Sequence, residues 1–198
     1  MLSFDLEQLT SSVNLPGKTV LCWGCEDVLS ITWLGGQQCR LLLLDKEPSQ
    51  VDEAEYALES RACTNYQGYH MSHAHPYTRP DDNVDVVASF KFLDRVAFPE
   101  DYIIRMIELL EPDGVLLLSF LSDRAWQQAA GGYPPEDITR SIAYPTFLRT
   151  YSLGNGPADW MSYDKFVQLF GSNLTPMWWG YSKSNDYFMV KAKPRRSK

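Results

Sequence analysis

The sequence is poor in the residues that form disulfides or bind metal ions in small proteins, and it has no excess of positive charge. It holds four cysteines and three histidines in 198 residues, which is too few cysteines for a disulfide scaffold. Lys and Arg number 18 against 25 Asp and Glu, a net charge of -7. A generic nucleic-acid binder needs a basic face, so this class is not expected.

The sequence also lacks a long apolar segment. No run approaches the roughly 18 consecutive apolar residues of a membrane-spanning helix. The N-terminal MLSFDLEQLT carries acids where a signal peptide needs cations followed by an apolar run. We therefore expect a soluble, intracellular and cytoplasmic protein with reduced thiols and no membrane partner.

Apolar runs alternate with amphipathic stretches, a pattern typical of parallel strands joined by helices in an α/β domain. Strands are predicted at 19–23, 40–44, 66–71, 84–90 and 115–120. Helices are predicted at 27–34, 48–61, 99–110 and 160–170. Two aromatic-rich runs, 176–181 and 187–192, predict a terminal antiparallel hairpin. We expect one domain over residues 1–198.

Two segments depart from this pattern. Glycines and prolines interrupt the segment 121–156, which is a candidate substrate lid containing Tyr133. An alternative is that the aromatic side chains of this segment pack on the sheet edge. Residues 191–198 hold five cations, and this end of the chain is expected to be solvated, with a basic tail over 194–198.

Four segments, in order, resemble the motifs of class I S-adenosylmethionine-dependent methyltransferases. VLCWGCEDVL (20–29) resembles the first strand and glycine loop, VLDxGCGxGxx, and LLLLDKEPSQVDEA (41–54) resembles the second strand with its acidic end. PDDNVDVVASFKFLDRV (80–96) and ELLEPDGVLLLSF (108–120) resemble the fourth and fifth strands. The resemblance covers about 18–193. It implies a Rossmann-like, mostly parallel seven-stranded sheet with a C-terminal antiparallel hairpin and helices on both faces.

The resemblance also implies an S-adenosylmethionine site between the first and fourth strands. Gly24 would let the backbone approach the cofactor, Asp45 would accept hydrogen bonds from the ribose hydroxyls, and His73 would accept one from the adenine amino group. Plain turn, helix-start and loop roles are the alternatives for these three residues. The other candidate cofactor contacts are Trp23, Cys25, Lys46, Ala74 and Ser89.

The glycine loop departs from the family pattern at three positions. Cys22 stands where the family has an acid, and Glu26 and Val28 replace two loop glycines. Side chains here would limit close approach, and Glu26 would repel the cofactor's carboxylate or bind its ammonium group. Two hypotheses follow: a methyltransferase for an unidentified small-molecule or protein acceptor, or an inactive methyltransferase-like domain that binds a protein partner or assembles as a homo-oligomer.

The sequence does not identify the methyl acceptor. The fourth strand continues into Ser89-Phe90-Lys91-Phe92 and lacks the [DN]PPY motif of base amino-methyltransferases. Lys91 and Phe92, with Tyr133, are candidate substrate contacts, although Lys91 also fits a solvated lysine at a strand end. Methyl transfer from a sulfonium needs chiefly in-line alignment, so no catalytic residue is assigned.

Two other constellations are alternatives to this function. Cys22 and Cys25 form a CxxC at a strand-to-helix turn, where a redox pair is commonly placed. His70, His73 and His75 form the histidine cluster, but on an extended segment His70 points away from the other two. Core or loop thiols, and polar loop histidines with one of them at the cofactor, are the favoured interpretations of these groups, and no metal is expected.

Overall fold

The structure is a computed structural model that describes residues 3–70, 83–93, 96, 99–122, 161–184 and 186–195. Its helices are α1 (Ser3–Thr10), α2 (Val28–Gly35), α3 (Pro48–Glu59), α4 (Pro99–Leu109) and α5 (Tyr163–Phe170). Its strands are β1 (Thr19–Trp23), β2 (Arg40–Asp45), β3 (Tyr66–His70), β4 (Val84–Phe90), β5 (Leu110–Leu121), β6 (Leu174–Tyr181) and β7 (Tyr187–Pro194). The predicted strands and the terminal hairpin are confirmed.

The strands form one seven-stranded sheet in the order β3-β2-β1-β4-β5-β7-β6. β1 pairs in parallel with β2 and β4, whereas β7 runs antiparallel to β5 and β6. This is the predicted Rossmann-like arrangement. The strand order reverses between β1 and β4, and ligands of open α/β sheets bind at the carboxyl ends of the strands beside such a switch point.

Helices cover both faces of the sheet, as predicted. Successive strand residues point to opposite faces, so Leu21 and Trp23 belong to the core under α4 and α5, whereas Val20 and Cys22 belong to the core under α1, α2 and α3. Burial of these apolar side chains supplies the main driving force for packing the helices on the sheet.

An aromatic cluster fixes α5 against the sheet. Phe166 and Phe170 on α5 lie 5.2 Å apart between ring centroids, and Phe166 lies 6.0 Å from both Phe120 of β5 and Phe188 of β7. All four rings are buried. The predicted helix over 160–170 is therefore confirmed, with its apolar face on the sheet. It begins at Tyr163, and the preceding Ser162 caps it by accepting a hydrogen bond from the Lys165 N–H.

Two elements differ from the sequence prediction. β5 begins at Leu110 rather than 115, because Val84 pairs with Leu110 and Val86 with Val115, so residues 111–114 form an irregular insertion within the strand. Helix α1 was not predicted, because it is a single short helix. It buries Leu6 and Leu9 in the core.

Lys191 corrects the prediction for the basic end of the chain. It lies in β7 with only 3% of its surface exposed, and its Nζ donates hydrogen bonds to the Ser11 carbonyl and to Ser12 Oγ. Burial lowers the pKa of Lys191. The Lys183 N–H likewise donates to Asp5 Oδ1 at 2.9 Å. The Lys191 ammonium group and the Lys183 backbone N–H thus tie α1 and the turn after it to the hairpin, and Lys191 is not solvated.

An ion pair joins the amino ends of β1 and β4. Lys18 Nζ lies 2.6 Å from Asp85 Oδ1, and the Thr19 N–H donates to Asp85 Oδ2 at 2.9 Å. Partial burial by itself would raise the pKa of Asp85, but the hydrogen bonds from Lys18 and Thr19 outweigh it and hold that pKa below its ordinary value of 3.8.

This lowered pKa predicts an acid-dependent contribution to stability. The contribution of Asp85 is fully present above the unfolded-state pKa and is lost as pH falls through the lower folded-state pKa. We expect the difference in unfolding free energy between the parent chain and Asp85→Asn to be larger at about pH 6 than at about pH 2.5. Urea unfolding at the two pH values measures it. An equal difference at both would show that the carboxylate charge contributes nothing.

Candidate functional site

The loop after β1 lies at the carboxyl end of the sheet, beside the switch point. Gly24 adopts a φ of +90°, a conformation that glycine reaches without steric cost. Its N–H donates to the Leu44 carbonyl at 2.8 Å, which fixes the start of the loop against β2. The backbone therefore turns sharply at the position where the sequence predicted a close approach to a cofactor.

Phe92 packs directly on Gly24. A Cβ added to Gly24 would lie 2.5 Å from the Phe92 Cβ, and the Phe92 ring meets the Tyr102 ring edge-on with centroids 5.3 Å apart. Phe92 is buried and directly follows Lys91, the first residue after β4. The side of Gly24 that a Cβ would occupy is therefore filled by Phe92, which the sequence had assigned to the substrate.

Asp45 links the ends of β1 and β2. It is 5% exposed, and its Oδ2 accepts the Cys25 N–H at 2.7 Å while its Oδ1 accepts the Glu47 N–H at 2.9 Å. Each carboxylate oxygen has two acceptor positions, so one position on each oxygen remains for a further donor. This acceptor capacity fits a pair of neighbouring hydroxyl groups, each of which would donate a hydrogen bond. Lys46, the next residue, is exposed.

Trp23 places a polar group without a partner next to this loop. Its indole is 1% exposed, and its Nε1–H finds no acceptor among the described residues. An unsatisfied buried donor costs about 1–3 kcal/mol, which an acceptor on a ligand would offset. The Trp23 carbonyl accepts a hydrogen bond from the Ser89 hydroxyl at 2.9 Å. Ser89 is fully buried, so its hydroxyl joins β1 to β4.

An ion pair crosses from the start of α2 to the end of β4. Lys91 Nζ lies 3.4 Å from Asp27 Oδ1 and 5.1 Å from the centroid of the Tyr187 ring. Asp27 is buried, and it accepts a hydrogen bond from the Ser30 hydroxyl at 2.7 Å. Lys91 is thus paired with a buried carboxylate and is not the solvated lysine of the alternative interpretation.

Sequence reasoning missed Asp27 as a site residue. Its only signal was its place as the acid at the start of the predicted helix, and its distant partner was not visible in the sequence. Glu26, which the sequence analysis expected either to repel the cofactor's carboxylate or to bind its ammonium group, is exposed, whereas Asp27 is 4% exposed. The buried acid of the loop is therefore Asp27.

Several predicted site residues cannot be placed. His73, Ala74 and Tyr133, His75 of the histidine cluster and almost all of the candidate lid lie outside the described residues. The backbone of His70 pairs with that of Asp45 across β2 and β3. Within the described part of the chain, no group of three or more His, Cys, Asp or Glu side chains could hold a metal ion. The adenine contact of His73 stays a prediction.

The cysteines of the CxxC motif are buried. Burial raises the pKa of Cys22 and that of Cys25 well above the ordinary value of 9.0, and it raises the pKa of Cys39 to about 11. A redox pair needs a stabilised thiolate, so the surroundings of both CxxC thiols disfavour redox chemistry. Cys63 is partly exposed.

This burial predicts the thiol reactivity of the folded chain. We expect Cys63 to react rapidly with a thiol-specific disulfide reagent and the three buried cysteines to react only after unfolding, because the reagent needs an accessible thiolate. Absorbance of the released thiol measures the reaction, and Cys63→Ser is the matched control that should lack the fast phase. Rapid modification of Cys22 or Cys25 would instead support the redox interpretation.

No protein-family model matches the chain, and no curated protein sequence matches it significantly. Solved structures do match. The N-methyltransferase NodS of Bradyrhizobium japonicum WM9, in complex with S-adenosylhomocysteine, is 14% identical with a TM-score of 0.67, covering 98% of this chain and 86% of that chain. A methyltransferase of Geobacter sulfurreducens with S-adenosylhomocysteine gives 14% identity and a TM-score of 0.67, covering 98% and 90%.

A third match is magnesium protoporphyrin IX methyltransferase from Synechocystis PCC 6803, also with bound S-adenosylhomocysteine. It is 17% identical with a TM-score of 0.62, covering 98% of this chain and 81% of that chain. None of the described helices has the length and apolar character to cross a membrane. At these identities the likeness is one of architecture, and it shows that this chain has the fold of the class I S-adenosylmethionine-dependent methyltransferases.

Proposed function

We propose that the chain is an S-adenosylmethionine-dependent methyltransferase. The observation that carries the proposal is the Asp45 carboxylate. It lies at the carboxyl end of β2, holds the Cys25 N–H of the sharply turned loop, and keeps one acceptor position on each oxygen. This geometry suits the two hydroxyls of a ribose, in the way acids at the end of the second strand bind dinucleotides.

The remaining residues fit the same ligand. The Trp23 indole N–H, which has no acceptor in the described part of the chain, offers a donor to a polar atom of the cofactor, and His73 is proposed to accept a hydrogen bond from the adenine amino group. When bound, S-adenosylmethionine supplies an electrophilic methyl group on its sulfonium. Phe92 and Tyr102 form an apolar wall beside Gly24 that excludes water from the loop.

The acceptor is proposed to be a small molecule or a protein. Magnesium protoporphyrin IX methyltransferase, a structural neighbour, is named for a small-molecule acceptor, so small molecules are the first class to screen. We place Tyr133 beside the acceptor as a proposed contact, with the segment 121–156 as its lid, whereas Lys91, which pairs with Asp27, is kept for the cofactor. The domain boundaries 1–198, a cytoplasmic location and the absence of nucleic-acid and membrane partners are part of the same proposal.

Calorimetric titration with S-adenosylmethionine and S-adenosylhomocysteine tests the proposal directly. We expect micromolar dissociation constants, about -8 kcal/mol of binding free energy. NAD is the control, because a Rossmann-like sheet alone also suits dinucleotides. Binding of NAD in preference to S-adenosylhomocysteine would contradict the proposal.

A second candidate function is a methyltransferase-like binding or assembly subunit without catalysis. The observation that favours it is Phe92, which packs directly on Gly24, the residue that the resemblance places against the cofactor. A folded chain that binds neither S-adenosyl compound at millimolar concentration would favour this alternative. Sedimentation analysis and a search for a protein partner or a homo-oligomer would then follow.

A further inference from the structure

The ion pair between Asp27 and Lys91 spans the switch point of the sheet. Asp27 begins α2 after β1, and Lys91 is the first residue after β4, the strand that lies next to β1. The following helices pack on opposite faces, α2 on one and α4 on the other. Two opposite charges therefore face each other across the place where α/β sheets bind ligands.

The backbone of Lys91 is held in an unusual conformation. Its φ is +60°, which costs free energy for a residue with a side chain and is concentrated at functional sites in proteins. The Lys91 N–H donates to the buried Ser119 Oγ at 3.2 Å, which supports this conformation. The strained backbone sends the lysine toward Asp27 and Tyr187 rather than along the strand direction.

The pair is close enough to neutralise both charges, but it is not a tight hydrogen bond. The Nζ–Oδ1 distance of 3.4 Å exceeds the roughly 2.7–2.9 Å of strong charge-assisted hydrogen bonds. The Lys91 side chain is 25% exposed and that of Asp27 is 4% exposed. A long, flexible lysine can exchange its partner, whereas the buried carboxylate needs a cation beside it at all times.

We propose that Asp27 and Lys91 together bind the zwitterionic amino-acid end of the cofactor, Asp27 accepting its ammonium group and Lys91 pairing with its carboxylate. This inference rests on the proposed function. A zwitterion placed between the two side chains replaces one ion pair by two, so neither buried charge loses its partner. The pair thereby selects ligands that carry both charges over plain adenosine derivatives.

Three adenosyl thioethers that differ in these charged groups test the inference by calorimetry. S-adenosylhomocysteine carries both charges, decarboxylated S-adenosylhomocysteine lacks the carboxylate, and 5′-methylthioadenosine lacks both groups. We expect Lys91→Met to lower the affinity for S-adenosylhomocysteine at least about 10-fold and to change the affinities for the other two ligands by no more than about 2-fold. Asp27→Asn is expected to weaken the first two ligands and to leave methylthioadenosine unchanged.

Matched variants separate this role from general damage. Lys18→Met removes the comparable Lys–Asp pair at the opposite end of the same two strands and should change no affinity. Lys91→Arg keeps the charge and should retain S-adenosylhomocysteine binding. If Lys91→Met does not fold, Lys91→Gly deletes the charge while suiting the left-handed backbone.

Each contrary result has its own meaning. If Lys91→Met weakened the binding of all three ligands equally, or tightened the binding of S-adenosylhomocysteine, the proposed role of Asp27 and Lys91 would be wrong. Parent protein that binds methylthioadenosine but not S-adenosylhomocysteine would also overturn it while leaving an adenosine site in place. If the parent protein bound none of the three ligands, both the proposed function and the proposed role of Asp27 and Lys91 would be wrong.

Discussion

The Gly24→Ala variant is expected to unfold with a free energy about 2–5 kcal/mol lower than the parent chain. Two effects add. A Cβ at a φ of +90° is strained, and that Cβ would lie 2.5 Å from the Phe92 Cβ, a distance that forces the loop or the strand end to move. Urea unfolding followed by circular dichroism measures the loss.

Gly17→Ala separates the two effects. Gly17 has a similar φ of +75°, but a Cβ added there would meet nothing within 4 Å. We therefore expect Gly17→Ala to cost only the conformational part, about 1–2 kcal/mol. Phe92→Ala should not rescue Gly24→Ala, because alanine keeps the Cβ that collides. Equal costs at Gly17 and Gly24 would show that the packing of Phe92 on the loop is not tight.

Replacement of Asp45 by Asn is expected to impair both stability and cofactor binding. The carboxylate accepts two backbone N–H groups, from Cys25 and Glu47. An amide in either orientation points its own N–H groups at one of them, and loss of one hydrogen bond to a charged group costs about 1.5–3 kcal/mol. The same substitution removes an acceptor for the proposed ribose contact, so affinity for S-adenosylhomocysteine should fall about 100-fold.

Asp85→Asn is the matched control for Asp45→Asn. Asp85 also accepts a backbone N–H, that of Thr19, but at the amino end of β4, far from the proposed site. It should lose stability without losing affinity for S-adenosylhomocysteine. Unchanged affinity in folded Asp45→Asn would contradict the ribose role, whereas weaker binding in both variants would indicate a general effect of lowered stability.

The sheet was predictable because its strands are buried and therefore apolar. Runs such as RLLLLD (Arg40–Asp45) and VDVVASF (Val84–Phe90) carry their own signal, and the glycines and prolines between them mark the turns. Helix α1 escaped prediction because eight residues with two buried leucines give too little periodicity. Its stability comes from contacts with the distant hairpin, which no local pattern encodes.

The candidate site was predictable only in part, because its residues follow recognisable strands but its contacts are between distant parts of the chain. Gly24 and Asp45 follow strands, so the rule for parallel sheets places them at one edge. The contacts that define their surroundings, Phe92 on Gly24 and Lys91 with Asp27, join parts of the chain that are far apart in sequence. A sequence pattern shows which residues end the strands, but packing decides which of them touch.

The position of β7 constrains the order in which the chain can fold during synthesis. Of the seven strands, β7 is translated last, yet it lies inside the sheet, between β5 and β6. Until β7 leaves the ribosome, β6 lacks its neighbour in the sheet. The edge of β5 is then unpaired and is open to pairing with a strand of another chain. Completion of the sheet is therefore expected to wait for β7, with the loop of Gly24 formed well before the far half of the domain.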